Sequence, residues 1–404
     1  MSCKVEKTYP CLGITCEEVG VYQTTAGAAL GGMSVCNDPA PATATLDLVA
    51  EALKSDTDPI GGGFAQIAGY IPSSNVVPHS KIDEDMDEIN GLVGSGDFSD
   101  ALFVYEKGGN SKCTDAQIAA ATAFGAPAAS GACFGKTTAD PVGNSLKSTS
   151  IRTLKGFATA GSKLGAEKWY NVYKNYWKST GMTAEEAAKY SDTNVRPAFE
   201  GTGAFAAASV SQNMKAEVAK KGVAFQAVWM YVLHEYEDAI MDCLAGDITS
   251  NDATVGGPAP HAWDEGWAFY AGSLEGTAAA DKNTDGVLIF KLASKRCADF
   301  GTCTAAGVAK ANLKHLALAR NGRDKILAGE CHTVVEEFDA IVDQMTVPLI
   351  QGMLKYAFKA DPANSLGSCE TAGDNCDKSW AEGWAFAAAV LPRLHYCNHG
   401  CPFD

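Results

Sequence analysis

The sequence predicts an all-α protein, a multi-helix bundle carrying an internal duplicated helix-pair unit and many cysteines. Three observations predict it. Period-2 alternation of the strand type is scarce. Apolar residues recur at helical spacing, as in Val228, Val232, Leu233, Tyr236, Ile240 and Leu244. The heptapeptide Trp-x-Glu-Gly-Trp-Ala-Phe occurs twice, at 263–269 and 380–386, each time after a long apolar-periodic stretch and a loop holding Gly, Pro or Cys.

In chain order, residues 1–46 hold four cysteines among Gly, Thr, Ala and Pro, without helical periodicity, and read as a disulfide-pinned irregular lead. The rest, 47–404, reads as one helical domain with helices near 46–55, 81–92, 114–124, 146–160, 165–178, 183–190, 205–245, 262–275, 286–296, 306–328, 333–358 and 379–391, separated by Gly, Pro and Asp loops. The segment 205–245 is the longest and is placed at the centre of the packing. The duplicated units lie around 225–276 and 341–396. Repeated helix pairs pack about a twofold axis, which would bring Glu265 and Glu382 face to face.

The bulk composition bounds the function. With 404 residues and 46% hydrophobic content the chain can bury a large core. No stretch reaches the roughly 18 unbroken apolar residues of a membrane helix, and the N-terminus lacks the apolar run of a signal peptide. Fourteen cysteines, with close pairs such as Cys11/Cys16, Cys297/Cys303, Cys369/Cys376 and Cys397/Cys401, lack zinc-site spacing. Disulfides in an oxidising compartment account for them, so the reading is a secreted protein whose signal peptide is missing from this sequence. The absence of any Asn-x-Ser/Thr acceptor argues mildly against this. A net charge of −16 excludes an extended phosphate-binding surface and favours cationic ligands.

The duplicated motif carries the candidate chemistry. A carboxylate among indoles and phenyl rings is costly to ionise unless a cation or donors compensate it. Ser379 and Glu382 have capping-box spacing, which would tie Glu382 to the first turn of its helix; Glu265 has only Ala262 at the equivalent position and is not explained that way. The first copy adds His261 and Asp264. On the long helix His234, Glu235, Glu237 and Asp238 form a polar run, with Glu235 nearest the apolar stripe. The logic is similar to that of helical-bundle di-iron sites, although their Glu-x-x-His pair is absent. The candidate ligand set is therefore Glu235, Asp238, His261, Asp264, Glu265 and Glu382, with Arg152, Lys295 and Arg296 as candidates for neutralising acids or holding an anion beside the metal. The stripe His332, Glu336, Asp339, Asp343 reads as a solvated face. Asp281-x-Asn283-x-Asp285-Gly286 opens like a calcium loop but has Leu292 at its twelfth position, so an Asx turn explains it better.

Several segments together resemble a known family. His-Ala-Trp-Asp-Glu-Gly-Trp-Ala-Phe-Tyr-Ala-Gly-Ser-Leu-Glu-Gly (261–276), Lys295-Arg296-Cys297, Val-Pro-Leu-Ile-Gln-Gly-Met-Leu-Lys-Tyr-Ala (347–357), Ala-Glu-Gly-Trp-Ala-Phe-Ala-Ala-Ala-Val-Leu-Pro (381–392), Val104-Tyr-Glu-Lys-Gly-Gly-Asn-Ser111 and Arg152-Thr-Leu-Lys-Gly-Phe157 resemble the secreted iron-assimilating proteins of algae, also described as high-CO2-inducible periplasmic proteins. The resemblance spans roughly 100–400. It implies a protein of the periplasm or cell wall, induced by iron limitation, that promotes iron uptake without an established catalytic reaction and hands iron to a membrane reductase or transporter. It brings no ligand set, so the residues above come from chemistry alone. Hard ferric and borderline ferrous ions suit carboxylates with an imidazole, and a carbonate-type anion could complete the shell.

Two other readings use the same residues. Glu-Gly-Trp-Ala-x-Tyr also resembles the third-ligand segment of some zinc metallopeptidases, whose upstream His-Glu-x-x-His here becomes His234-Glu235-Tyr236-Glu237-Asp238, with Asp in place of a ligand. The third is a structural cell-wall protein in which both Glu residues merely cap helices.

Overall fold

Apolar periodicity becomes helix through most of the chain that the computed structural model describes, namely residues 14, 16–20, 22, 47–112, 152–249, 257–279, 285–364, 367–369 and 373–399. The predicted helix at 114–124, the start of the one at 146–160, most of the 1–46 lead, and Asp281 and Asn283 of the Asx turn lie outside the described residues. The longer helices are α1 (Ile82–Ser95), α2 (Phe98–Lys107), α3 (Lys168–Ser179), α4 (Tyr190–Glu200), α5 (Gln212–Gly222), α6 (Trp229–Ala245), α7 (Pro258–Ala271), α8 (Ile289–Phe300), α9 (Lys310–Leu327), α10 (Val334–Ala360) and α11 (Asp374–His399). No strand occurs among the described residues, only isolated bridges at Ile67/Tyr70 and Cys303/Ala309. None of the described helices is long and apolar enough to cross a membrane.

Two helices, α2 and α4, were not predicted, and both hide behind residues that ordinarily break helices. Gly96 closes α1 in the left-handed region at φ +87°, and the very next residue, Asp97, caps α2 by accepting from the Asp100 amide at 3.2 Å. A Gly-Asp pair therefore serves as a corner between two helices. In α4, Pro197 sits within the helix, near its C-terminal end.

The long predicted element at 205–245 is α5 and α6 joined by a π-type wide turn at Val223–Val228. At Gly222, just before this turn, an added Cβ would lie 2.5 Å from Val195 on α4, so the crossing there admits only glycine. One buried apolar cluster runs through α6, α7, α9, α10 and α11.

The repeated heptapeptide is explained mainly by this packing. In the first copy Trp263 and Trp267 are fully buried, and their indole N–H groups donate to the Ala319 carbonyl at 2.8 Å and the Ile67 carbonyl at 2.9 Å. A Cβ on Gly266 would stand 2.7 Å from the Tyr236 ring, so this glycine lets α7 approach α6. In the second copy Phe386 is buried against Gly352, with Phe225 and Tyr356 stacked at 5.2 and 5.7 Å, whereas Trp380 and Trp384 stay 55% and 41% exposed.

The helix boundaries overturn the capping reading. α7 begins at Pro258 behind Gly257, the position where proline is preorganised for a helix start, so Glu265 lies well inside it. α11 begins at Asp374, ahead of Ser379, which is buried inside the helix and opens no capping box with Glu382. The polar run before Ser379 is tied by the Cys369–Cys376 disulfide, and helix extends through it. Two further disulfides, Cys243–Cys331 and Cys297–Cys303, hold the end of α6 to the turn before α10 and close the end of α8. His332, Glu336 and Asp339 are exposed, as their stripe suggests, but Asp343 is half-buried and pairs with the buried Arg393.

Two measurements check this packing. A Cβ at Gly322 on α9 would lie 1.9 Å from the Trp263 indole. Gly322→Ala is therefore expected to lose roughly 1–3 kcal/mol in urea unfolding, whereas Gly91→Ala on α1, with nothing within 4 Å, should gain up to about 1 kcal/mol. Burial pushes the His315 imidazole down to about 3, in a pocket of Trp267 and Tyr270 with the Tyr236 hydroxyl 3.0 Å from Nε2. A neutral native histidine gives stability that is present above the unfolded value near 6.5 and lost as pH falls toward 3. The unfolding midpoint should drop over that window, less steeply in His315→Gln.

Candidate metal centre

One turn of α7 separates His261 from Glu265, which places both on the same face. Opposite them, the short helical turn Val77–Ser80 presents His79. His79 Nε2 lies 2.9 Å and His261 Nε2 3.0 Å from the same oxygen, Glu265 Oε1. All three donors fall within 4.8 Å of one another. Two ligands at right angles, each about 2.1 Å from an ion, stand about 3.0 Å apart, so the spacing suits cis positions around one small cation.

The donors are held by a chain of hydrogen bonds. Asp264, next to Glu265 on α7, turns away and accepts from the Tyr70 hydroxyl at 2.6 Å and from the Ser73 amide, Ser73 hydroxyl and Ser74 hydroxyl at 2.8 Å each. Ser74 thus spends its only proton on Asp264. Its oxygen, 2.9 Å from His261 Nδ1, accepts from that nitrogen. The resulting tautomer points the Nε2 lone pair at Glu265. Two acceptors at 3.0 Å repel unless a proton or a metal cation lies between them, and a histidine fixed through its far nitrogen is the usual arrangement at a metal.

Electrostatics favour the same assignment. Burial pushes His79 down to about 3, overriding the pull of Glu265, so its imidazole is neutral and able to ligate. Both His79 ring nitrogens are buried without a hydrogen-bond partner among the described residues, although Nε2 is close to Glu265. Burial opposes ionisation of Glu265, yet His79 and His261, when a proton or cation lies between them and the carboxylate, and Arg152 hold its carboxyl well below the usual carboxylate range. Arg152 pairs with Glu265 and, at 3.3 Å, with Glu235, donates to the Tyr231 hydroxyl at 2.8 Å, and lies over the Phe269 ring at 5.2 Å. Burial and the Glu265 charge push Glu235 up to about 8 against the pull of Arg152. The two carboxyls are thus pushed in opposite directions, Glu265 toward the ionised form and Glu235 toward the protonated one. The His261 side chain, 29% exposed against 5% for Glu265, opens the centre to solvent.

The predicted residues separate into distinct places. His261 and Glu265 meet with His79; Glu235 joins their edge through Arg152. Asp238 falls in a second group with His234 and Glu235 on α6, where His234 Nδ1 is engaged by Glu167. His234 Nε2 is buried without a hydrogen-bond partner among the described residues, and the metallopeptidase pattern still has Asp238 where its second histidine would stand. Asp264 is saturated by four donors and positions the Tyr70 to Ser74 segment. Glu382 does not converge on Glu265: it faces Lys221 at 3.7 Å and the Tyr356 hydroxyl, and Lys295 and Arg296 line that separate pocket. Arg152 is committed to protein carboxylates.

The expectation of twin acids meeting across an axis is therefore corrected. The helices repeat, but their surroundings do not. His79 was missed by sequence reasoning, because Val77-Pro78-His79-Ser80 has no periodicity and lies ahead of the helix predicted at 81–92. The only available signal was the scarcity of histidine, with seven in the chain.

Two imidazoles and one carboxylate with open positions form the donor set associated with non-haem ferrous iron, and the same set also accepts zinc. No curated protein and no solved structure matches the chain. A family model described as a low iron-inducible periplasmic protein matches residues 60–396, which takes in His79, Arg152, Glu235, His261 and Glu265. The three disulfides among the described residues agree with that compartment. Most of the chain, including every residue of the metal-type cluster, thus lies within the match, and the protein belongs to the family of low iron-inducible periplasmic proteins.

Proposed function

We propose that the protein is a periplasmic iron-binding protein that promotes iron assimilation by capture and release rather than by catalysis. His79 Nε2, His261 Nε2 and Glu265 Oε1 are the ligands. The observation that carries this reading is the approach of two imidazole nitrogens to about 3 Å from one carboxylate oxygen, with His261 aimed from behind by Ser74 and Asp264. The family's induction at low iron supports iron as the cargo.

Each residue has a part in this reading. The neutral imidazoles and one ionised carboxylate give a borderline donor set suited to ferrous iron. Arg152 balances the charge of Glu265 before the ion arrives. Glu235, protonated beside it, supplies a second carboxyl that can ionise when a cation enters. Acidification competes with the ion for the imidazoles and for Glu265, which provides release. Transfer to a membrane reductase or transporter belongs to the same proposal. A carbonate-type co-ligand is left aside, because Arg152 already serves Glu235 and Glu265.

Metal-free protein titrated anaerobically with ferrous iron, and separately with ferric iron and zinc, tests this by calorimetry and elemental analysis. Wild type is expected to bind one ferrous ion at this centre. His79→Gln and Glu265→Gln should weaken it by more than the roughly 10–100-fold typical of losing an outer-shell partner, and Glu382→Gln should leave it unchanged. No binding in wild type, or equal affinity in His79→Gln, rejects the centre and leaves a structural role.

Ser74→Ala probes the orienting chain separately. It keeps all three ligands but frees the His261 ring, and it should weaken ferrous binding by roughly 10–100-fold. Unchanged affinity would mean that the ring is held by packing alone.

A further inference from the structure

The second motif copy opens onto a cavity of about 260 Å3 between α5, α8, α10 and α11. Six cationic side chains line it: Lys220 and Lys221 from the end of α5, Lys291, Lys295 and Arg296 from α8, and Lys378 from α11. This concentration of positive charge stands on a chain whose net charge is −16. Its floor is apolar, made by Phe225, Phe386, Leu288 and Leu292.

Among the described residues, three acids serve four of these cations. Glu382, the acid in the lining, pairs with Lys221 at 3.7 Å; Glu217 serves Lys220 at 2.9 Å and Lys378 at 3.9 Å, and Asp299 takes Arg296 at 2.6 Å. Lys295 has no acid within ion-pair distance among the described residues, and Arg296 Nε is buried there without a hydrogen-bond partner. We infer that this cavity is a binding site for a small polycarboxylate anion, of di- to tricarboxylate size, separate from the metal centre and independent of it.

The choice of ligand follows from shape and donor type. At about 30 Å3 per water, the cavity has room for roughly eight or nine waters, more than one carbonate or phosphate needs. An apolar floor suits a short carbon skeleton. Lysine ammonium groups on three helices act as compact point charges that can meet carboxylates pointing in different directions, while the one guanidinium is partly taken by Asp299. A nucleic acid is disfavoured by the small size of the cavity and by repulsion from the acidic chain. Burial and then the neighbouring Lys221, Lys291 and Arg296 charges lower the Lys295 ammonium, and burial lowers that of Lys221 despite Glu382 and Glu217, so both lysines gain from an anion.

Metal-free protein titrated with citrate at low ionic strength, with succinate, inorganic phosphate and acetate as comparison probes, tests the inference by calorimetry and thermal shift. Saturable one-to-one citrate binding is expected, stronger than that of phosphate or acetate. It should weaken at least tenfold in the double variant Lys221→Gln, Lys295→Gln and persist in Glu265→Gln. In the double variant relief of like-charge repulsion offsets loss of the Lys221–Glu382 pair, and its circular dichroism should match wild type; citrate should raise the melting temperature of wild type and not that of the variant. Absent citrate binding, or equal binding by the double variant, overturns the site. Phosphate binding as tight as citrate, lost in the same variant, assigns the cavity to inorganic oxyanions and overturns the polycarboxylate. Loss of citrate binding in Glu265→Gln overturns its independence, whereas failure of ferrous binding alone leaves this site standing.

Discussion

Keeping one carboxylate, Glu265, ionised inside an aromatic interior is the constraint on which the centre depends. Its surroundings supply Arg152 on one oxygen and two imidazoles on the other, and the rings of Phe269, Phe157 and Tyr231 exclude water around them. Its neighbour Glu235 shares Arg152 but is pushed up to about 8 by burial and by the Glu265 charge. The helices α6 and α7 are brought close enough for this by Gly266 against Tyr236. Packing and chemistry thus meet at adjacent positions of one motif: Glu265 faces the centre, and Gly266 allows the contact that creates it.

The two motif copies show how a repeated helix pair can diverge in function. Both keep the Glu-Gly pair and the close helix crossing, and both bury their carboxylate. Around Glu265 the neighbouring segments bring histidines and an arginine. Around Glu382 they bring lysines and a tyrosine hydroxyl. The same acid is therefore a ligand candidate in one copy and a counter-charge in the other. The second copy also leaves Trp380 and Trp384 largely in solvent, whereas Trp263 and Trp267 anchor the core through donated hydrogen bonds.

Much of the fold was legible because helical periodicity over long segments is a strong signal. The segments that become α1, α3, α6, α8, α9 and α10 carry it plainly. The exceptions have local causes: α2 begins one residue after the glycine that ends α1, and α4 contains Pro197. The capping reading of Ser379 and Glu382 failed because α11 starts at Asp374, where the spacing rule has no information about how far a helix extends upstream. In the site, His261 and Glu265 were legible as members of one ligand-rich motif, although the predicted helix began at 262 and only the observed start at Pro258 puts both on one helix face. Asp264 looked equivalent by composition, yet its side chain leaves the helix in another direction and is consumed by Tyr70, Ser73 and Ser74.

What the sequence determined by itself was the helical class, an oxidising compartment and a motif that gathers a histidine and acids, because these follow from composition and from spacing along the chain. Only the tertiary structure decided which residues complete the centre. His79 and Arg152 lie far from α7 in the chain, on a short turn and just ahead of the short helix Leu154–Ala158, and they reach Glu265 through packing of elements remote in sequence. Local pattern encodes which way a side chain faces on its own helix; which group stands opposite it is set by how the helices meet.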